Sequence, residues 1–183
     1  MITPQENYDE LAKDALFDAL REILGLTAAR AEKMISFSWP SEDGSVRFTA
    51  TPSTDVCYIR FTPYSLPNEG FINHSVEDGV ERMDTHIGLR AQFIFYGPHS
   101  LEYATRTRVG INRTDVRSLF KTASMAPIPN NQMPVSLDEL IDGRWYKRTD
   151  ISVDFYQLIV YTGEVSVMEE PPEIEIMTDE TDD

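Results

Sequence analysis

The sequence predicts an α+β fold: a mostly antiparallel sheet of long strands packed against an N-terminal helix and a central helical segment. Two stretches, residues 143–161 and 83–95, alternate apolar and polar residues, which is the pattern of a strand with one buried face. Neither stretch contains proline. The N-terminal segment instead repeats apolar residues at three- and four-residue steps, which indicates an amphipathic helix. Because two long strands with one apolar side need a cover, we expect helices to pack on that side.

The alternation assigns each long strand two faces. We expect these residues on the apolar faces: Ile151, Val153, Phe155, Ile159 and Tyr161 of one strand, and Met83, Ile87, Leu89, Ala91, Phe93 and Phe95 of the other. We expect these on the polar faces: Arg148, Asp150, Ser152, Asp154 and Tyr156, and Arg82, Asp84, His86, Arg90 and Gln92. Trp145 and Tyr146 lie where the first strand begins, so both are predicted to anchor one end of the core.

Two long helical segments and a short helical turn are predicted in the first 121 residues. Thr3 and Glu6 have the spacing of a capping box and Pro4 suits a first helical position, so the first helix is predicted to begin there and to end at Gly25. A short helical turn is predicted over residues 27–33. Residues 100–121 predict a helix in two pieces, joined near Gly110 or Asn112. Its core candidates are Leu101, Ala104, Val109, Val116, Leu119 and Phe120.

The remaining segments give shorter elements. Strands are predicted at residues 34–39, 46–51 and 56–62, the first two joined by a turn at Asp43 and Gly44. Residues 63–80 predict a long loop and residues 125–134 an irregular segment. The spacing of Ser136 and Glu139 predicts a short helix that ends at Gly143. A turn at Thr162 and Gly163 would lead into a last strand over residues 164–168.

Charge divides the 183 residues into a body, 1–168, and a tail, 169–183. The formal net charge is −15, and the tail contributes eight acidic residues and no basic one. The body keeps 23 acidic and 16 basic residues, a net charge near −7. We expect one α+β domain followed by a disordered acidic tail. An acidic body argues against a protein that reads nucleic acid, but not against a surface that DNA merely passes.

Cysteine usage and hydropathy bound the class further. The single cysteine, Cys57, lies in the apolar run VCYIRF, which predicts a buried, reduced thiol and excludes an intramolecular disulfide. No apolar run reaches the ~18 residues of a membrane span, and the N-terminus lacks a signal-peptide pattern. We therefore expect a soluble protein of a reducing compartment.

No catalytic constellation is visible in the sequence. The histidines His74, His86 and His99 lie far apart and lack metal-binding spacing. If the long strands are neighbours, Asp84 and His86 could meet Asp150 and Asp154 in a carboxylate–imidazole site. Cross-strand ion pairs with the nearby arginines explain the same residues more simply; these arginines are Arg90, Arg144 and Arg148. We expect no metal, no cofactor and no enzymatic activity.

Two features suggest contacts with other proteins. The central helical segment is the one basic stretch, with Arg106, Arg113 and Arg117 as its interface candidates. Such a stretch is either a solvated face or an electropositive face for an acidic neighbouring chain. Phe71 and Ile72 lie in the predicted loop, and they either pack against the body or form a contact site for a partner protein.

Two motifs resemble the phage neck or tail-terminator family. FIFYGPHSLEYATRTR, residues 93–108, combines a strand, a break at Gly97 and Pro98, and a helix. DGRWYKRTDISVDFYQL, residues 142–158, follows after the proline-rich MAPIPN. The second motif is similar to the family's glycine, aromatic pair, arginine and aspartate leading into a strand. The matching positions are Gly143, Trp145, Tyr146, Arg148, Asp150 and Phe155. The resemblance covers about residues 89–168.

The resemblance implies a structural virion protein rather than an enzyme. Its subunits would assemble into a ring, usually sixfold, around a channel for DNA, at the neck of the virion after assembly in the host cytoplasm. It implies two partners besides further copies of the chain: the tail tube protein below and a head-completion or connector (stopper) protein above. The basic helical face could then meet the acidic first helix of the next subunit, and the loop of residues 63–80 could order on assembly.

Two other classes stay open. An acidic DNA mimic that inhibits a nucleic-acid-binding protein would also explain the charge, although it predicts acids in phosphate-like rows over the folded body. A metal-dependent enzyme is the third class.

Overall fold

The computed structural model of the protein describes residues 3–4, 8–37, 50–66, 72–129 and 132–164. Its helices are α1 Tyr8–Leu24, α2 Ala28–Met34, α3 Ser100–Gly110 and α4 Thr114–Thr122. Its strands are β1 Thr3–Pro4, β2 Ile35–Phe37, β3 Val56–Tyr64, β4 Asn73–Glu77, β5 Val80–Tyr96, β6 Met125–Ile128, β7 Val135–Ser136, β8 Glu139–Ile141, β9 Arg144–Tyr146 and β10 Arg148–Glu164. The predicted α+β class is confirmed.

The sheet is built on the antiparallel pair β5 and β10. Each has 17 residues, and they pair along their whole length, from Arg148 opposite Tyr96 to Glu164 opposite Val80. At about 3.3 Å per residue this ribbon is roughly 55 Å long. The main order is β1-β10-β5-β3-β2, in which only β2 and β3 are parallel. The other edge strands are short: β4 pairs with β5, and β6 and β7 pair with β10.

The predicted faces of both long strands are confirmed where the helices cover them, whereas Met83, Ile87 and Tyr161 are only half-buried. The apolar side of the ribbon lies under α1, α3 and α4, where Phe93, Phe95 and Phe155 are fully buried. A smaller cluster forms on the opposite side, where Tyr58, Tyr96 and Tyr146 are buried together. The sheet is therefore covered on both faces at one end. The other end extends beyond the helices as an arm of β1, β4, β5 and β10, with β4 exposed along its length.

The predicted helix joint is confirmed, and Cys57 is buried as expected. The core of this segment differs in part from the expectation. Leu101 and Val109 are exposed, because α3 packs through the face formed by Tyr103, Ala104, Thr107 and Gly110. Gly110 is needed for this packing, since a Cβ there would lie 2.6 Å from Ile23 of α1.

The predicted start of the first helix is wrong. Thr3 and Pro4 form a strand that pairs with Tyr161 and Thr162, and α1 begins at Tyr8. Pairing with the edge of β10 thus takes precedence over the local capping pattern. The predicted turn at Thr162 and Gly163 is wrong as well, because both residues continue β10 opposite Arg82 and Glu81.

Three further predictions fail because backbone pairing overrides local composition. The predicted loop of residues 63–80 contains the end of β3, which includes Pro63, and the whole of β4. The predicted irregular segment of residues 125–134 begins with β6, which pairs with residues 154–157. The predicted helix of residues 136–143 is a β-hairpin of β8 and β9, and residues 144–146 are separate from β10. The turn at residues 43–44, the acidic tail, and most of the predicted strands at 46–51 and 164–168 lie outside the described residues. Of the described positions, residues 50–51 are not strand and residue 164 is the last residue of β10.

Candidate assembly surfaces

The bend between β5 and α3 is built around Gly97, a residue of the first motif. Gly97 has a φ of 115°, and a Cβ there would lie 2.6 Å from both Oδ1 of Asp55 and the carbonyl oxygen of Thr54. Asp55 accepts a hydrogen bond from the backbone N–H of His99 (3.0 Å), and its Oδ2 lies 2.8 Å from His99 Nδ1. Pro98 follows on the surface. The motif glycine therefore lets the loop before β3 hold the start of α3.

Arg148 is the centre of an ionic network on the polar side of the ribbon. Its guanidinium donates two hydrogen bonds to Asp150, at 2.8 and 2.7 Å, and one to Glu139, at 3.1 Å. It also lies over the ring of Tyr96, whose hydroxyl donates to Glu139 at 2.7 Å. The hydrogen bonds to Asp150 raise the pKa of Arg148, and the Tyr96 hydroxyl, with Arg148, lowers the pKa of Glu139. These contacts join β8, β5 and β10.

The hairpin of β8 and β9 rests on this network. Asp142 and Gly143 form its two-residue turn, with φ values of 49° and 73°. Positive φ at both positions matches the tight turn that asparagine or aspartate followed by glycine favours. On the inner side Tyr146 is buried edge-on against Tyr96, with ring centroids 6.5 Å apart. The motif residues Gly143, Tyr146, Arg148 and Asp150 thus act together to hold the hairpin on the sheet.

The outer side of the same hairpin is apolar and exposed. Leu140 and Trp145 lie directly opposite each other, and their exposed fractions are 55% and 67%. The prediction that Trp145 anchors the core is therefore wrong, whereas Tyr146 fulfils that role. Three large apolar residues of the preceding segment are also exposed: Met133, Val135 and Leu137. An exposed tryptophan opposite another exposed apolar side chain is typical of protein–protein contacts.

The last motif position, Phe155, belongs to the core. It is fully buried, and its ring packs edge-on against Phe120 of α4 with a centroid separation of 4.9 Å. This contact attaches α4 to the middle of β10, which is a structural role.

The basic residues of α3 and α4 are not equivalent. Arg106 is exposed and lies 3.6 Å from Glu102, one turn earlier on the same helix. Arg117 is exposed and makes no ion pair with any of the residues that the structure describes. The predicted interface residues Arg106 and Arg117 are thus accessible on the surface of α3 and α4, which we call the basic helical layer.

Arg113 is engaged within its own chain. Its guanidinium binds Asp115 and also lies 3.6 Å from Glu22 of α1. The acidic helix that this arginine contacts is therefore the one in the same subunit.

The arm carries the second exposed apolar surface, with Val76 and Val80 at its tip and Ile72 just before the start of β4. Ile72, Val76 and Val80 have exposed fractions of 58%, 54% and 45%. Ile72 is thus exposed as the partner hypothesis requires, and Phe71 lies outside the described residues. The turn between β4 and β5 carries two exposed acidic residues, Glu77 and Asp78.

On the polar face of the ribbon, the predicted cross-strand ion pair is present. Arg90 donates two hydrogen bonds to Asp154, at 2.7 and 3.0 Å, and lies over the ring of Tyr64. Tyr64 in turn lies on Gly88, where a Cβ would approach the ring to 2.6 Å. His86 is opposite Leu158, so the register keeps it away from Asp154.

Two of the aspartates considered for a carboxylate–imidazole site bind arginine side chains instead. Asp84 binds Arg82 at 2.8 Å, and Asp150 binds Arg148. Across the described residues, no group of three or more His, Cys, Asp or Glu side chains could hold a metal ion. An open cleft of about 430 Å³ lies between α2 and the start of β3, lined by Arg30, Lys33, Met34, Ser53, Thr54, Asp55 and Val56. These lining residues do not form a nucleophile–base pair.

A family comparison then decides between the classes that the sequence left open. A sequence model of the family described as phage neck terminator protein matches residues 14–180, nearly the whole chain. The chain belongs to the phage neck terminator family. A search of curated proteins gives no match.

Membership makes this neck terminator a structural protein of a phage particle. In the part of the chain that the structure describes, no helix is both long and apolar enough to cross a membrane. The features that stand out on the neck terminator are accordingly surfaces rather than a reaction site: the hairpin, the arm tip and the basic helical layer.

Sequence reasoning misses several residues that build these surfaces. The local pattern places Glu139 in a helix cap, although it is a partner of Arg148 and Tyr96. The dipeptide Asp142–Gly143 is a usable signal for a hairpin. Asp55 gives no local signal of its contact with the Gly97 bend, because the two residues are far apart in the chain.

Proposed function

We propose that this neck terminator forms a hexameric ring that ends the tail tube and joins it to the head, with a central channel through which DNA passes. The single observation that carries the proposal is the match of the family over residues 14–180. The ring binds the tail tube protein on one side and a head-completion or connector protein on the other.

The geometry supports assembly. A subunit in a closed ring needs two different surfaces, one for each neighbour. Exposed apolar residues lie near both ends of the ribbon of β5 and β10: Trp145 and Leu140 on the β8–β9 hairpin at one end, and Val76 and Val80 at the other. Exposed apolar surfaces of this kind are costly in an isolated protein and are typical of contact sites.

The charge supports a channel that does not hold DNA. A basic lining would bind phosphates and retain them, whereas acidic residues allow the DNA to slide. The body, with 23 acidic and 16 basic residues, has acids for such a lining.

The basic helical layer is assigned to contact with an acidic surface of a neighbouring chain. Arg106 and Arg117 are accessible for it, and Arg113 contributes less because Asp115 and Glu22 already bind it. Contact with acidic groups would steer association more than it would strengthen it.

The alternative, a DNA mimic, requires rows of unpaired acids. Along β10 the acids are instead paired: Asp150 binds Arg148 and Asp154 binds Arg90. These pairs favour the terminator function.

The test is the removal of the gene from its phage. We expect tails that do not join heads and a strong loss of infectious particles, both restored by the intact chain supplied in trans. Normal virions without the protein would overturn the proposal.

A further inference from the structure

We propose that neighbouring copies in the ring contact each other through the arm tip of one copy and the β8–β9 hairpin of the next. The inference rests on the proposed ring and names the surfaces that close it. The arm tip is defined as Val76, Glu77, Asp78 and Val80. The hairpin surface is defined as Leu140, Arg144, Trp145 and Lys147.

The hairpin surface is a rigid platform. Arg148 holds Glu139 and Asp150, and Tyr146 is buried beneath the hairpin, so β8 and β9 are fixed on the sheet. What they present outward is the opposed pair Leu140 and Trp145, both more than half exposed. A preordered apolar anchor loses little conformational entropy when a partner covers it.

The arm tip is a projecting counterpart. It is the tight turn at the far end of the ribbon, where Val76 and Val80 flank Glu77 and Asp78. All four residues are exposed. Asp78 and the following glycine both have positive φ, at 51° and 76°, so the turn is as well defined as that of the hairpin.

The charges of the two surfaces are complementary. In the chain, Arg144 precedes the exposed Trp145 and Lys147 follows Tyr146, and both are exposed. Strand alternation places Arg144 at the rim of the apolar pair rather than on its face. Neither of the two basic residues makes an ion pair with any residue in the described ranges. On the arm tip, the acids Glu77 and Asp78 lie between two exposed valines and are likewise without an ion pair among the residues that the structure describes. Apolar residues can thus meet apolar ones while two cations approach two anions.

The length of the ribbon decides that this contact is between copies. The hairpin lies next to the Arg148–Tyr96 end, and the arm tip is at the Glu164–Val80 end. A separation of roughly 55 Å prevents the two surfaces of one copy from meeting. Because the surfaces differ, the contact is head-to-tail, and a head-to-tail contact that closes produces a ring.

Engineered cysteines test the contact directly. The chain has one native cysteine, Cys57, which is buried. The double variant Val80→Cys/Leu140→Cys is oxidised both as purified full-length protein at high concentration and in purified particles. We expect a ladder of covalent multimers, up to the size of the ring, that reductant removes. Each single variant should give dimers at most, and the matched pair Thr62→Cys/Leu140→Cys, with its first cysteine at an exposed position of β3, should give no ladder.

Charge exchange tests the same contact without cross-linking. Arg144→Glu/Lys147→Glu and Glu77→Lys/Asp78→Asn should each reduce infectious particles about tenfold or more, because each variant loses or reverses the charge attraction at this contact. Asparagine is used at position 78 because it tolerates the positive φ of the turn. The combined variant should recover to within about threefold of the original chain.

The outcomes separate this inference from the proposed function. A ladder in either preparation supports the contact, even if the protein proves absent from particles, in which case the neck function alone fails. Absence of the ladder from both preparations overturns the contact, and a ring seen at the neck in the same particles would leave the neck function intact. Charge variants that assemble as well as the original chain also overturn the contact.

Discussion

A side chain on Gly97 would collide with Asp55, because a Cβ at this position would lie 2.6 Å from the carboxylate oxygen and 2.8 Å from the Asp55 Cα. The carboxylate cannot move away without losing its contacts with His99. The backbone at Gly97 also has a φ of 115°, which only glycine adopts readily. Two independent constraints therefore require glycine at this position.

Gly97→Ala should lower the free energy of unfolding by about 3 kcal/mol, because it combines backbone strain with a collision against main-chain atoms. Gly25→Ala is the matched control: it also has positive φ, but no atom lies within 4 Å of its Cβ. The control should lose only about 1 kcal/mol. Urea denaturation measures both. Equal losses would show that the contact with Asp55 adds nothing.

Arg148→Ala should destabilise the protein by about 2 kcal/mol, since it leaves Asp150 and Glu139 without their cation in a partly buried place. Arg148→Lys should be less stable than the original chain but more stable than Arg148→Ala, because lysine keeps the charge but cannot make the two-pronged contact with Asp150. Arg144→Ala on the exposed strand β9 is the control and should change stability by less than about 0.5 kcal/mol. Thermal denaturation followed by circular dichroism provides the comparison. An Arg148→Ala variant as stable as the control would mean that the network does not hold the hairpin.

Glu139→Gln should make the free energy of unfolding depend less on pH in the acidic range. The pKa of Glu139 in the folded protein lies below its usual 4.5, mainly through the hydrogen bond from Tyr96 and also through Arg148. A lowered pKa in the folded state gives stability that is complete above pH 4.5 and is lost as pH falls through the folded pKa. The original chain should therefore exceed Glu139→Gln in stability at pH 7, and the difference should shrink below pH 4.5. Asp138→Asn is the control, and a difference independent of pH would contradict the assignment.

Charge reversal at the basic layer should impair assembly without affecting folding. Arg106→Glu/Arg117→Glu removes two accessible cations, and we expect ring formation or capping of the tail tube to be lost. Adding Arg113→Glu should mainly reduce stability, because Asp115 and Glu22 bind Arg113 within the chain. Lys33→Glu on α2 is an exposed control. Size-exclusion chromatography and imaging of tails give the readout, and normal assembly of the double variant would remove this layer as an interface.

The long strands could be predicted because period-two alternation does not depend on distant parts of the chain. Phe93, Phe95, Val153 and Phe155 are buried on the face that the alternation gives them. The first and last residues of helices and strands are harder to predict from the sequence. Thr3 and Pro4 have a helical capping pattern but form a strand, since the edge of β10 offers them backbone hydrogen bonds.

The hairpin shows why local patterns mislead. Ser136 and Glu139 have the spacing of a helix cap, yet Glu139 binds Arg148 and Tyr96, and Ser136 pairs with Thr149. These partners become neighbours only when the sheet forms. Leu101 and Val109 are wrongly expected in the core for a similar reason. Periodicity indicates that α3 has an apolar face, but which face is buried depends on the close approach that Gly110 allows to Ile23.

The interface candidates could be predicted only in part. Arg106, Arg117 and Ile72 are exposed as the sequence suggests. The exposure of Trp145 and Leu140 instead follows from a hairpin whose local signal, Asp142–Gly143, competes with a helix-cap spacing. A tryptophan in a predicted strand is expected inside, and only the buried Tyr146 beside it shows that Trp145 must point outward.

The most direct measurement is to locate this chain in purified tails and virions, by mass spectrometry together with negative-stain imaging of particles labelled with an antibody against it. A neck terminator predicts a ring of copies at the head-proximal end of the tail. If the protein is absent from the particles and stays soluble in extracts of infected cells, the neck function is contradicted and the DNA-mimic inhibitor becomes the leading alternative.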